Sequence, residues 1–149
     1  MSLTELLAVG DTEGIVKALF NALLHTDDSF VDALNTVTRF GTLDTIKVVF
    51  QRLRADISLA EVVKACHIAV EEEGKDVVEY LVENHDALNL LSNVPIEFRP
   101  KVDARPLFLA ARTGKLNFLK YFIAKNSDLK DATNYDHHTV IAVACKEVS

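Results

Sequence analysis

Short amphipathic stripes recur along this chain at nearly constant spacing, and that recurrence restricts its fold to a stack of helices. Apolar residues at Ile46, Val49 and Phe50, and again at Leu119, Phe122 and Ile123, fall at i, i+3 and i+4 and so line one side of a helix. Related stripes run from Ile15 to Phe20 and through Val77, Val78, Leu81 and Val82. With Ile15, Ile46, Val78 and Leu119 as equivalent anchors, the steps are 31, 32 and 41 residues. Helices of about ten residues are marginal alone. Each stripe must therefore be covered by a neighbouring unit, and a linear stack of helix pairs does this for every unit alike. A chain of 149 residues, 49% of them hydrophobic, is long enough to bury roughly two thirds of its unfolded surface in one domain.

The segment Arg105-Pro-Leu-Phe-Leu-Ala-Ala-Arg-Thr-Gly-Lys-Leu-Asn-Phe-Leu-Lys-Tyr-Phe-Ile-Ala-Lys-Asn-Ser-Asp128 strongly resembles one ankyrin repeat, whose pattern is TPLHxAAxxGHxxVVxxLLxxGAD. Pro106-Leu107 opens the first helix, Ala110-Ala111 match the paired alanines and Gly114 the interhelix glycine. Phe118, Leu119, Phe122 and Ile123 match the apolar set of the second helix. Arg105 and Phe108 replace the threonine and histidine of the TPLH motif. Thr139 to Glu147 lines up with Arg105 to Thr113 at an offset of 34, close to the family period of about 33. Ala65 to Asp86 carries the same grammar at an offset of 41, and Arg39 to Phe50 and Val9 to Phe20 carry it more faintly.

The resemblance implies an all-α fold: a short ankyrin-type solenoid of about four repeats plus a C-terminal half-repeat, in a single domain. Its units run approximately over 2–26, 29–54, 58–86, 104–128 and 137–149, with an extended loop at 88–104. A different α-solenoid or an irregular helical bundle is the alternative. Asn84 and Asn126 stand where the left-handed residue that ends a second helix is expected. Pro95 and Pro100 preclude a continuous helix between the third and fourth units. The family would place a hairpin finger there, in which Ile96 and Phe98 fold back to cover the stack or, alternatively, join Arg99 in an enlarged finger that meets a partner. The last helix, with Ile141, Val143, Ala144 and Val148, lacks a mate and is expected to leave an apolar face open. A longer chain or a short cap is the expected reason; sealing by a partner or a second copy is the other.

Function follows mainly from the family. Ankyrin stacks hold protein partners on their first helices and fingers, which implies partner-binding residues Arg39, Phe40, Glu71, Glu72, Phe108 and Arg112 on first-helix surfaces. Arg99, Tyr135 and His137, with Asp27 and Asp56, belong near the fingers. A structural or assembly domain that self-associates through the C-terminal repeat is the second reading.

Composition narrows the rest. A net charge of −6 disfavours nucleic acid as a partner, and no stretch reaches the ~20 apolar residues of a membrane span. Cys66 and Cys145 are 79 positions apart and suggest neither disulfides nor a zinc module. An intracellular, cytoplasmic setting is therefore expected. Cys66 reads as a core thiol beside a more exposed His67, and Cys145 as a buried structural thiol by its match to Ala111. Asp136-His137-His138 reads as an exposed turn rather than a metal site. Glu71-Glu72-Glu73 reads as solvated surface, although it occupies the wrong end of a helix for its dipole. With no phosphate loop, catalytic triad or HExxH pattern, the expectation is a non-enzyme without cofactors.

Overall fold

The computed structural model describes residues 2–25, 29–88, 105–133 and 138–148, with 146–148 described by backbone alone. Within them the protein is all-α. In chain order the helices are α1 (Leu3–Val9), α2 (Thr12–Leu23), α3 (Ser29–Phe40), α4 (Leu43–Arg52), α5 (Leu59–Glu71), α6 (Lys75–His85), α7 (Pro106–Arg112), α8 (Leu116–Lys125) and α9 (Val140–Val148). Tight turns of 3₁₀ helix follow α4 at Arg54–Asp56 and α8 at Ser127–Asp131. No helix among the described residues is long and apolar enough to cross a membrane.

Local sequence sets these boundaries. Ser2 and Ser58 cap α1 and α5 by accepting from the N–H of Glu5 and Glu61, and each hydroxyl also donates to that glutamate's carboxylate, at 3.1 and 3.2 Å. In each case the serine oxygen satisfies one backbone donor that a helix start leaves open. Pro106 starts α7, where its missing N–H costs nothing.

The odd-numbered helices pack in succession from α1 to α9, and α2, α4 and α6 pack in succession beside them. α1 with α2, α5 with α6 and α7 with α8 close the pairs. One continuous core lies between the two layers. It contains Ile15, Leu19, Leu34, Val37, Ile46, Phe50, Leu81, Leu107 and Phe122, all essentially inaccessible to solvent. The stripe predicted at Ile46, Val49 and Phe50 is wholly buried. The stripe on α8 is looser, with Phe122 buried and Phe118 and Ile123 only partly so.

Three turns inside the helix pairs share one geometry. Gly10, Glu73 and Gly114 take left-handed φ values of 71°, 59° and 70°. The next residue, Asp11, Gly74 or Lys115, returns to a φ of −81°, −81° or −84° to start the second helix. Its N–H donates to the carbonyl five positions back: Asp11 to Leu6 at 3.0 Å, Gly74 to Ala69 at 2.9 Å and Lys115 to Ala110 at 2.9 Å. This bond closes a helix end by satisfying a carbonyl the helix leaves over. The α3–α4 turn differs. Gly41 keeps an ordinary φ, but a Cβ there would lie 2.6 Å from the Val37 carbonyl oxygen, so close approach is what requires glycine.

Asparagine does not end the second helices as expected. Asn84 remains inside α6, where its amide donates to the Tyr80 carbonyl, and Asp86 takes the left-handed position with a φ of 58°. Asn126 is extended, with a φ of −148°, and caps the following 3₁₀ turn through its side chain. Residues 89–104 of the extended loop, with Pro95, Ile96, Phe98 and Pro100, lie outside the described residues.

Candidate functional site

Arg39, Glu71 and Glu72 come together across the first layer. Arg39, in the last turn of α3, pairs through Nη1 with Glu72 and through Nη2 with Glu71 at 3.6 Å. Glu71 also faces His67 Nε2 at 3.3 Å on its own helix. Glu73 pairs with Lys115 Nζ at 3.3 Å, and the same ammonium donates to the carbonyls of Val70 and Glu71 at 3.0 and 3.3 Å. A cation from α8 thus satisfies the carbonyl end of α5, where three successive carboxylates would otherwise oppose the helix dipole. The acidic triplet is therefore largely engaged within the chain. Its pairs with Arg39 are half-exposed, and such pairs contribute about 0–1 kcal/mol, so exchange for an incoming charge costs little.

Phe40 follows Arg39 and is 69% exposed. Val9, which precedes the turn glycine of the first pair as Phe40 precedes Gly41, is 65% exposed. Two large apolar side chains thus stand at corresponding helix ends, and Phe40 adjoins Arg39 of the ion-pair cluster. Arg112 is half-buried at the end of α7, and Asp56 is exposed after α4. Arg99, Tyr135, His137 and Asp27 lie outside the described residues. Thr133 and Thr139, which bracket Tyr135 and His137, form an isolated antiparallel bridge.

Phe108 is a correction. It was expected on an open first-helix surface but is 2% exposed. α7 is flanked by α5, α8 and α9, which bury every residue from Pro106 to Ala111, and the Arg105 guanidinium lies 5.0 Å from the Phe108 ring centroid. Arg105 also donates to the Thr133 carbonyl at 3.3 Å, linking α7 to the chain ahead of α9. His67 is a second correction: it is buried beside Cys66 rather than exposed, because α3 and α7 both pack on α5. Cys145 is a third. It is exposed although Ala111, its counterpart, is buried, since α9 covers α7 and no described helix covers α9 in turn. Burial pushes the Cys66 thiol up to about 12, which removes it as a nucleophile at neutral pH. No group of three or more His, Cys, Asp or Glu among the described residues could hold a metal ion.

Sequence reasoning missed two features. One is the cleft between α6 and α8, about 870 Å³, walled by Val78, Leu116, Phe118 and Tyr121. It coincides with the long step of 41, the one available signal. The other is a buried His85–Tyr80 pair: Tyr80 recurs as Tyr121 at the offset of 41, but nothing in the repeat pattern marks His85 as its partner. No family model, curated protein or solved structure matches this chain.

Proposed function

We propose that this chain is an ankyrin-type repeat module that binds a protein partner along its first-helix face. The fold half of the reading is supported by the layered succession of odd and even helices and by the turn geometry repeated at Gly10, Glu73 and Gly114. The observation that carries binding is the exposure of Val9 and Phe40 at the ends of the neighbouring helices α1 and α3, with Phe40 next to Arg39 of the Arg39–Glu71–Glu72 cluster. Large exposed apolar residues rimmed by charge are what a contact surface offers. The reading assigns recognition rather than catalysis, and an intracellular setting suits one buried and one exposed free thiol.

Capture from a native extract, quantified for variants of unchanged melting temperature, tests this face. Phe40→Asp and Val9→Asp should each release the captured protein, whereas Leu24→Asp, at an exposed site on the other layer, should not. Equal capture by all three would refute the face.

A second reading rests on α9. Val140 is buried against the stack while Ile141 is 64% exposed and Cys145 is open, which suits an assembly domain that self-associates there. Light scattering over a concentration series separates the two: a dimer dispersed by Ile141→Asp supports assembly, and a concentration-independent monomer removes it.

A further inference from the structure

His85, the last residue of α6, is buried where α6 meets α4. The Phe50 ring meets it edge-on from α4 with centroids 5.5 Å apart, and the Tyr80 ring does so from α6 at 5.1 Å. Its Nε2 lies 2.9 Å from Tyr80 Oη. Beside the imidazole is a cavity of about 210 Å³, lined by Phe50, Arg54, Ile57, Leu59, Val62 and His85. Its α5 wall, Leu59 and Val62, carries no charge. Two cations approach from the other elements. Arg54, in the turn after α4, donates to the Asn84 carbonyl at 3.2 Å, and Lys47 of α4 lies 5.8 Å from the Tyr80 ring centroid. On its own helix Asp86 follows His85 at an exposed position.

We propose that His85 is an acid-sensitive latch on the seam between α4 and α6: the neutral imidazole closes the seam, and the imidazolium loosens it. Whichever ring nitrogen carries the proton in the neutral form, the second proton places a cation against Phe50 and beside Arg54, where burial makes unpaired charge costly. The cavity gives the ring space to move away from Tyr80 and toward solvent. The latch is independent of the binding reading, but it bears on the same region, because the Arg39–Glu71–Glu72 cluster joins α3 to the end of α5, the helices that lead into α4 and α6.

Burial first, and Arg54 second, hold the His85 imidazole below the usual histidine range. The unfolded chain therefore takes up this proton at higher pH than the folded one. The associated stability is complete above the unfolded value of about 6.5 and is lost as pH falls below it.

Hydrogen exchange of the full chain, corrected for intrinsic rates and compared between about pH 7.5 and about pH 5.5, tests the latch. Acidification should raise exchange in α4 and α6 several-fold and leave α8 nearly unchanged. His85→Gln, which keeps a neutral hydrogen-bonding group, and His85→Phe, which keeps the ring packing, should both flatten this response, while His67→Gln retains it. If His85→Phe fails to fold, His85→Gln decides alone. An acid response of equal size in His85→Gln overturns the latch, as does one absent from wild type or spread evenly through α8.

Discussion

α6 forms one wall of two seams with opposite character. Toward α4 it closes on apolar side chains: Ile46, Val49 and Phe50 of α4 are fully buried, as is Leu81 of α6. Toward α8 it stands apart across the 870 Å³ cleft, with Leu116 57% exposed. What crosses that gap is polar and directional. Tyr121 Oη donates to Glu83 at 3.1 Å, Lys125 Nζ pairs with the same carboxylate at 2.9 Å, and Lys115 reaches the end of α5. The first layer shows no such break, since α5 packs on α7. A stack can therefore keep one layer continuous while the other opens, provided a few hydrogen bonds replace the lost apolar contact.

The sharpest way to break the comparison is to remove one aromatic from each seam. Phe50→Ala should cost about 3–5 kcal/mol, the usual penalty for deleting a buried ring and leaving a cavity. Phe118→Ala, on a half-buried side chain at the cleft, should cost about 1 kcal/mol. Urea unfolding followed by circular dichroism measures both. Equal losses would mean the cleft is packed as tightly as the α4 seam.

Lys115→Met tests the polar side of the same contrast. Its ammonium is the cap of α5, so replacement by an uncharged chain of similar length should cost about 1–2 kcal/mol and raise hydrogen exchange at the end of α5. A loss confined to α8 would show that the cap is dispensable.

The unequal seams were partly legible in the sequence. Steps of 31 and 32 followed by 41 located the irregularity, and the i, i+3, i+4 stripes named the buried faces correctly at Ile46, Val49 and Phe50. Periodicity tells which residues share a helix face, but not how many neighbours that face meets. That is why Phe108 and His67 proved buried and Cys145 exposed: the first two lie on helices packed from several sides, and Cys145 lies on one packed by α7 and the preceding 3₁₀ turn. Turn chemistry was legible only where glycine marks it. Gly114 announces its left-handed turn, whereas Glu73 adopts the same conformation with nothing in its identity to reveal it. The Arg39–Glu71–Glu72 cluster was visible as separate candidate residues, and their pairing with one another was not, since contact between helices 33 positions apart depends on the packing of α3 on α5.

Glu73 supplies a prediction of opposite sign. A side chain in the left-handed region costs about 1–2 kcal/mol relative to glycine, and Glu73→Gly would reproduce the turn found at Gly10 and Gly114. The substitution gives up a half-exposed ion pair with Lys115 of little value, and Lys115 retains its two carbonyl acceptors. A net gain of about 1 kcal/mol in urea unfolding is expected; destabilisation would mean that the Glu73–Lys115 pair, rather than the carbonyl cap, holds α8 against α5.

The smallest effect should come from Glu83→Gln, which weakens the far bridge across the cleft without removing apolar surface. Burial first, and the Glu83 hydrogen bond second, hold the Tyr121 phenol above the usual tyrosine range. Neutralising Glu83 should lower the titration of Tyr121 and leave the midpoint of unfolding nearly unchanged, because the carboxylate is half-exposed and its pairs are screened by water. Ultraviolet difference spectra of the variant in a background of Tyr80→Phe and Tyr135→Phe, which leaves Tyr121 as the remaining one of three tyrosines, measure the shift. An unchanged phenol titration would mean that burial alone sets Tyr121, and that the α6–α8 seam is held from the Lys115 end alone.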